Sequence, residues 1–115
     1  MKRYNEILAK LTEFRQERNW EQFHTPKNLS MGIAIEASEL MQEFLWKTDE
    51  EITKLIAESP DSVADEIADI GAYLFLLSKD LNINIFDAIE QKMAKNAAKY
   101  PVNKCFGKAT KYNKL

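Results

Sequence analysis

At 115 residues the chain has room for one domain with a modest core, and only three glycines and three prolines favour helices over short strands. No apolar run reaches the length of a membrane span and no leader-like segment opens the chain, so a membrane protein is not expected. The single cysteine, Cys105, excludes an internal disulfide and points to a reducing, cytoplasmic setting.

Tyr4, Ile7, Leu8, Leu11 and Phe14 recur at helical spacing and predict a first amphipathic helix to about Arg18. The segment NWEQFHTPKN breaks that pattern. Thr25 before Pro26 reads as an N-cap with proline at the first helical position, opening a second helix to about Trp46. Leu29, Ile33, Ala37, Leu40 and Phe44 form its apolar arc. Thr48 and Glu51 have capping-box spacing for a short helix ending near Ser59. Ser59-Pro60 opens the next, with Val63, Ile67, Ile70, Leu74, Leu77 and Leu81 expected to face inward. Asn84 caps a last helix through about Lys99, Pro101 ends it, and the final fifteen residues are expected to be irregular. The expectation is an all-α domain over 1–115: an antiparallel four-helix-bundle-like core, one additional short helix, and a basic C-terminal segment from about 101.

The net charge of −2 hides an asymmetry. Residues 91–115 hold seven of the sixteen basic residues and no acid, which leaves nine bases against eighteen acids in the rest. A basic end on an acidic body suits a phosphorylated small molecule, a nucleic acid or an acidic neighbour; taken alone it reads as a solvated tail.

Two helices carry acids beside their apolar arcs. Glu36, Glu39 and Glu43 share a stripe in IAIEASELMQEF, bordered by Leu29, Ile33 and Leu40 on one edge and Ile35 and Trp46 on the other. In DEIADIGAYLF, Glu66, Asp69 and Tyr73 share another, bordered by Val63, Ile70, Leu77 and Leu76. An isolated pair of acids three apart would be a solvated face. Four carboxylates gathered at the rim of a packed interior repel one another and lose hydration, and a divalent cation relieves both costs at neutral pH. Oxygen-only ligands select hard ions, Mg²⁺ first and Mn²⁺ next. A di-iron bundle would want Glu-x-x-His, and the only histidine, His24, lies in a loop; a calcium hand would want an Asp-rich loop with a central glycine.

Glu36-x-x-Glu39 followed by Glu66-x-x-Asp69 resembles the signature of the MazG-like superfamily of all-α nucleoside triphosphate pyrophosphohydrolases. FRQERNWEQFHTPKNL, FLWK at 44–47, DEIADIGAYL and KNAAKYPV at 95–102 look like its small dCTP pyrophosphatase branch, and the resemblance covers residues 10 to 110. It implies cleavage between the α and β phosphates to a monophosphate and pyrophosphate, on dCTP or a related deoxynucleotide, in nucleotide-pool cleansing. It implies that Glu36, Glu39, Glu66 and Asp69 hold Mg²⁺, with Glu39 and Glu66 as the catalytic residues and Glu39 the candidate to position the attacking water. Glu43 stands outside the signature.

Lys92, Asn96 and Lys99 share a helical face suited to phosphate oxygens, and the resemblance adds Tyr100. Trp20, His24, Trp46 and Tyr73 are the candidates for the base, and Lys47 for phosphate. Either tryptophan could instead be core, and His24 could satisfy a loop carbonyl. The resemblance also implies a homo-oligomer, a tetramer in preference to a dimer, with sites near subunit boundaries. The competing class is a non-catalytic helical binding or regulatory module, although an adaptor has no reason to hide its charge. Net acidity and the lack of a recognised binding motif argue against a nucleic-acid partner.

Overall fold

The computed structural model describes Met1–Leu115, and every regular element in it is helical. These are α1 (Lys2–Glu17), α2 (Pro26–Phe44), α3 (Asp49–Glu58), α4 (Asp61–Asp80), α5 (Ile85–Lys99) and α6 (Val102–Cys105), with 3₁₀ turns at Glu21–Phe23 and Tyr112–Lys114. No helix is long and apolar enough to cross a membrane.

Capping side chains set where α2, α3 and α5 begin, as their spacing predicts. Thr25 Oγ1 accepts from the Asn28 amide at 3.2 Å, with Pro26 at the head of α2. Thr48 and Glu51 close a reciprocal box at the start of α3. Asn84 Oδ1 accepts from the amides of Phe86 and Asp87 at 3.0 and 3.1 Å. The end of α2 falls two residues before the predicted Trp46, because Trp46 turns into the left-handed region at φ +63°. The last fifteen residues are more regular than expected: Pro101 caps α6, and Gly107 at φ +73° then turns the chain.

The chain divides into two compact units, residues 1–82 and 83–115. In the first, α2 and α4 pack as antiparallel neighbours. Glu43 meets Ser62, the carboxylates of Glu36 and Glu39 meet that of Glu66, and Gly32 meets Tyr73, so one number falls as the other rises. Helix α1 joins α4 through Tyr4 edge-on to Phe75, at 5.3 Å between centroids, and through Arg15 to Asp80. Leu29 and Leu76 are the buried aliphatic side chains, and Leu29 is fully enclosed.

The inward stripe expected for α4 needs correction. Ile67, Leu74 and Leu81 are exposed, Ile67 at 57 %, whereas Leu76 and Ser78 are buried. The stripe carrying Glu66 and Tyr73 is the one that meets α2, and this turns the heptad-spaced line of Ile67, Leu74 and Leu81 outward. In the second unit the tail folds back on the end of α5. The Tyr112 amide donates to Tyr100 Oη at 3.3 Å, and the Lys99 ammonium lies 4.7 Å from the centroid of the Tyr112 ring.

Candidate active site

Helical spacing on two antiparallel helices brings three acids together. One oxygen from each of Glu36, Glu39 and Glu66 lies within 4.8 Å of the other two. Glu36 Oε2 and Glu66 Oε2 are enclosed and have no hydrogen-bond partner. Buried carboxylate oxygens without donors are costly, and their neighbours here are further carboxylates. Burial and then the adjoining Glu39, Glu66 and Asp69 push Glu36 up to about 7. Glu66 is also raised, by burial first, with Glu39 and Asp69 adding to the shift against an opposing hydrogen bond from Glu36. The group therefore fits a hard divalent cation, which would satisfy the orphaned oxygens and cancel the repulsion together.

The four acids are not equivalent. Asp69 stands outside the tight trio and, with Glu36, lines a cavity of about 210 Å³. Leu11, Phe14, Trp20, Ala72 and Leu76 form the apolar walls of that cavity, and Arg15, His24 and Tyr73 are its remaining polar lining. This is below the roughly 300–1,000 Å³ of sites that enclose a drug-sized ligand. Its volume is that of a ring rather than of a whole nucleotide. Glu36 belongs both to this lining and to the carboxylate trio.

An aromatic chain holds the cavity mouth. Phe14 lies edge-on to Trp20 at 5.8 Å between centroids, Trp20 is tilted against His24 at 6.2 Å, and His24 meets Tyr73 at 6.2 Å. The Arg18 guanidinium covers the outer face of Phe14 at 3.5 Å. Burial, and after it the positive charge of Arg15, lowers the pKa of His24, so its imidazole is neutral at neutral pH. Its Nδ1 is buried without a partner, so the expected alternative of a satisfied loop carbonyl at that nitrogen is absent. Tyr73 packs on Gly32, where a Cβ would come within 3.2 Å of the ring.

Trp46 and Lys47 are not among the residues lining this cavity. Trp46 is 92 % exposed at a positive φ, which overturns core packing as its role. Lys47 donates to the Glu43 carbonyl at 2.8 Å, and Glu43 accepts from Ser62 at 3.0 Å, consistent with its place outside the signature. Lys92, Asn96 and Lys99 are exposed along α5 in the second unit, and Tyr100 is engaged by Tyr112. Arg15 is the polar lining residue that the sequence reading missed. It continues the Leu8 and Leu11 spacing of α1, so a guanidinium stands where the pattern calls for an aliphatic side chain.

A family model described as the MazG-like family matches residues 31–115. The chain is 38 % identical to dCTP pyrophosphatase 1 of Bos taurus and 34 % identical to that of Homo sapiens. Each match spans 105 residues, 90 % of this chain and 62 % of the relative, so the chain covers about three-fifths of the length of these relatives. The crystal structure of a pyrophosphatase from Archaeoglobus fulgidus is similar at a TM-score of 0.80 and 41 % identity. That match covers 84 % of this chain and 91 % of the other.

Proposed function

The chain belongs to the MazG-like family, and from that premise we propose that it hydrolyses deoxynucleoside triphosphates to the monophosphate and pyrophosphate with Mg²⁺. The observation that carries this reading is the trio of Glu36, Glu39 and Glu66, with two orphaned oxygens, beside a ring-sized cavity. A cytosine-like base is the preferred occupant, by likeness to the dCTP pyrophosphatases. The setting is taken to be cytoplasmic, in keeping with the single cysteine and the lack of a spanning helix, and the role to be pool cleansing. No nucleic acid is assigned as a partner.

Glu36, Glu39, Glu66 and Asp69 would hold Mg²⁺, with Mn²⁺ a possible substitute. When bound, the ion supplies positive charge to the phosphate oxygens and Lewis acidity at phosphorus. Glu39 holds the attacking water by a hydrogen bond and takes one proton from it as the oxygen reaches the α-phosphorus, while Glu66, beside it, accepts the water's second hydrogen bond. The bond from that phosphorus to the bridging oxygen breaks, and pyrophosphate leaves with the electron pair. Trp20, His24 and Tyr73 enclose the base and exclude water from it. Trp46, held in a strained conformation with its ring in solvent, offers a further stacking face. Lys47, Lys92, Asn96, Lys99 and Tyr100 are assigned to phosphate or substrate contacts.

We take the working form to be a homo-oligomer, a tetramer rather than a dimer, on a four-helix-bundle-like domain spanning 1–115. The heptad-spaced line of Ile67, Leu74 and Leu81, exposed in the single chain, supports a covered helix face. The test of the activity is a panel of natural and modified nucleoside triphosphates, with and without Mg²⁺, resolved by ion exchange. Monophosphate with pyrophosphate is expected. Diphosphate with orthophosphate, or no turnover on any substrate, counts against the reading and in favour of a non-catalytic binding module.

A further inference from the structure

Arg15 is 5 % exposed, an unusual depth for a residue with five donors. Its Nη1 and Nη2 donate to Asp80 Oδ2 and Oδ1 at 2.7 and 2.9 Å, two parallel bonds that fix the plane of the guanidinium. Of the three N–H groups left over, Nε–H belongs to the one guanidinium nitrogen that is buried with no partner at all. A cation that already has its counter-ion does not need a further ligand for its charge; what it lacks is an acceptor at Nε. Arg15 lines the same cavity as His24, whose Nδ1 is the other partnerless buried nitrogen, and apart from Glu36 and Asp69 the rest of the wall is aromatic or aliphatic. The ring-sized space is therefore under-bonded at two nitrogens, in addition to the Glu36 oxygen that belongs to the carboxylate trio.

We propose that Arg15 is a specificity-determining residue of this cavity, its Nε–H donating a hydrogen bond to an acceptor on the edge of a pyrimidine base, beside the His24 imidazole. The inference rests on the nucleotide reading and deepens it by assigning how the base is told from an apolar ring of the same shape. Stacking on Trp20 and Tyr73 supplies affinity for any flat ring and little discrimination. A ring with an acceptor relieves the unpaired donor and a ring without one leaves it as it is, which favours the first by roughly 5- to 150-fold. Asp80 does not touch the base. It holds the guanidinium so that Nε–H keeps one direction, and without that clamp a flexible arginine would follow whichever ring arrived.

The test compares dCTP with a deoxynucleoside triphosphate bearing difluorotoluene, which keeps the ring size and removes the strong acceptors. The wild-type protein with Mg²⁺ is expected to favour dCTP in kcat/KM by roughly fivefold or more. Arg15→Lys, which keeps the charge beside Asp80 and lacks Nε–H, is expected to bring that ratio close to one. Where Arg15→Lys fails to fold, Arg15→Met with Asp80→Leu replaces the pair by apolar side chains of similar size and is read in the same way. A variant that keeps the wild-type ratio overturns the proposal. A wild-type ratio near one overturns it while leaving the hydrolase reading intact. A wild-type protein that cleaves neither triphosphate removes both.

Discussion

The Arg15 guanidinium gives both its terminal nitrogens to the Asp80 carboxylate, across 65 residues of chain, and so ties α1 to the end of α4. The bond to Arg15 holds Asp80 below the usual aspartate range, against the opposing effect of burial. The same bond raises the pKa of the Arg15 guanidinium. Because the folded value for Asp80 is depressed, its contribution to stability is complete above the ordinary 3.8 and is lost as the pH falls below that through the folded value. Asp80→Ala should cost about 3 kcal/mol at neutral pH, since it leaves a buried guanidinium unpaired. Urea melts at pH 7 and on the acid limb check both statements: the variant should lose stability at pH 7 and show a shallower acid dependence than wild type.

The carboxylate trio should behave in the opposite sense. Glu36 has its folded value raised from 4.5 to about 7, so the folded state binds more protons than the unfolded chain between those pH values. Stability of the metal-free protein therefore falls as the pH rises from 4.5 to about 7, then levels. Glu66 is raised as well and adds to the same trend. Thermal melts in EDTA should show this decline, and saturating Mg²⁺ should reverse it at pH 7.5 by binding the folded state alone. Glu66→Gln should raise the melting temperature in EDTA at pH 7.5 and weaken the response to Mg²⁺.

Gly32 sits where α2 runs against the Tyr73 ring, and an added methyl would lie 3.2 Å from it. Gly32→Ala should displace Tyr73 by a few tenths of an ångström, a strain of about 1 kcal/mol that the gain from replacing a mid-helix glycine offsets, so stability should change little. The ring lines the cavity, so the expected kinetic signature is a raised KM with little change in kcat. Equal losses in kcat and kcat/KM would instead place Tyr73 in contact with the transition state.

Much of this was legible in local sequence. Thr25-Pro26, Thr48 with Glu51, and Asn84 each act on a backbone amide two or three residues away, so their roles need no tertiary knowledge. The acids were legible because spacing on one helix survives into the fold. What was not legible depends on distant partners. An amphipathic pattern does not say which of two apolar faces meets another helix of the same chain, and on α4 the stripe chosen included Ile67, Leu74 and Leu81, which point outward. Arg15 was passed over because its meaning lies in Asp80. A basic residue at the aliphatic register of α1 was the signal present in the sequence. Likewise Trp46 ended outside α2 because the helix stops at Phe44, a boundary set by the turn into Lys47.

The most direct measurement is calorimetric titration of Mg²⁺ into the protein with a dCTP analogue whose α–β bridge cannot be cleaved. Saturable heat in the wild-type protein, lost in Glu66→Ala with the fold retained by circular dichroism, is the predicted result. Equal heat in both proteins, or none in the wild type, would contradict the claim that Glu36, Glu39 and Glu66 are gathered to bring a divalent cation to a triphosphate.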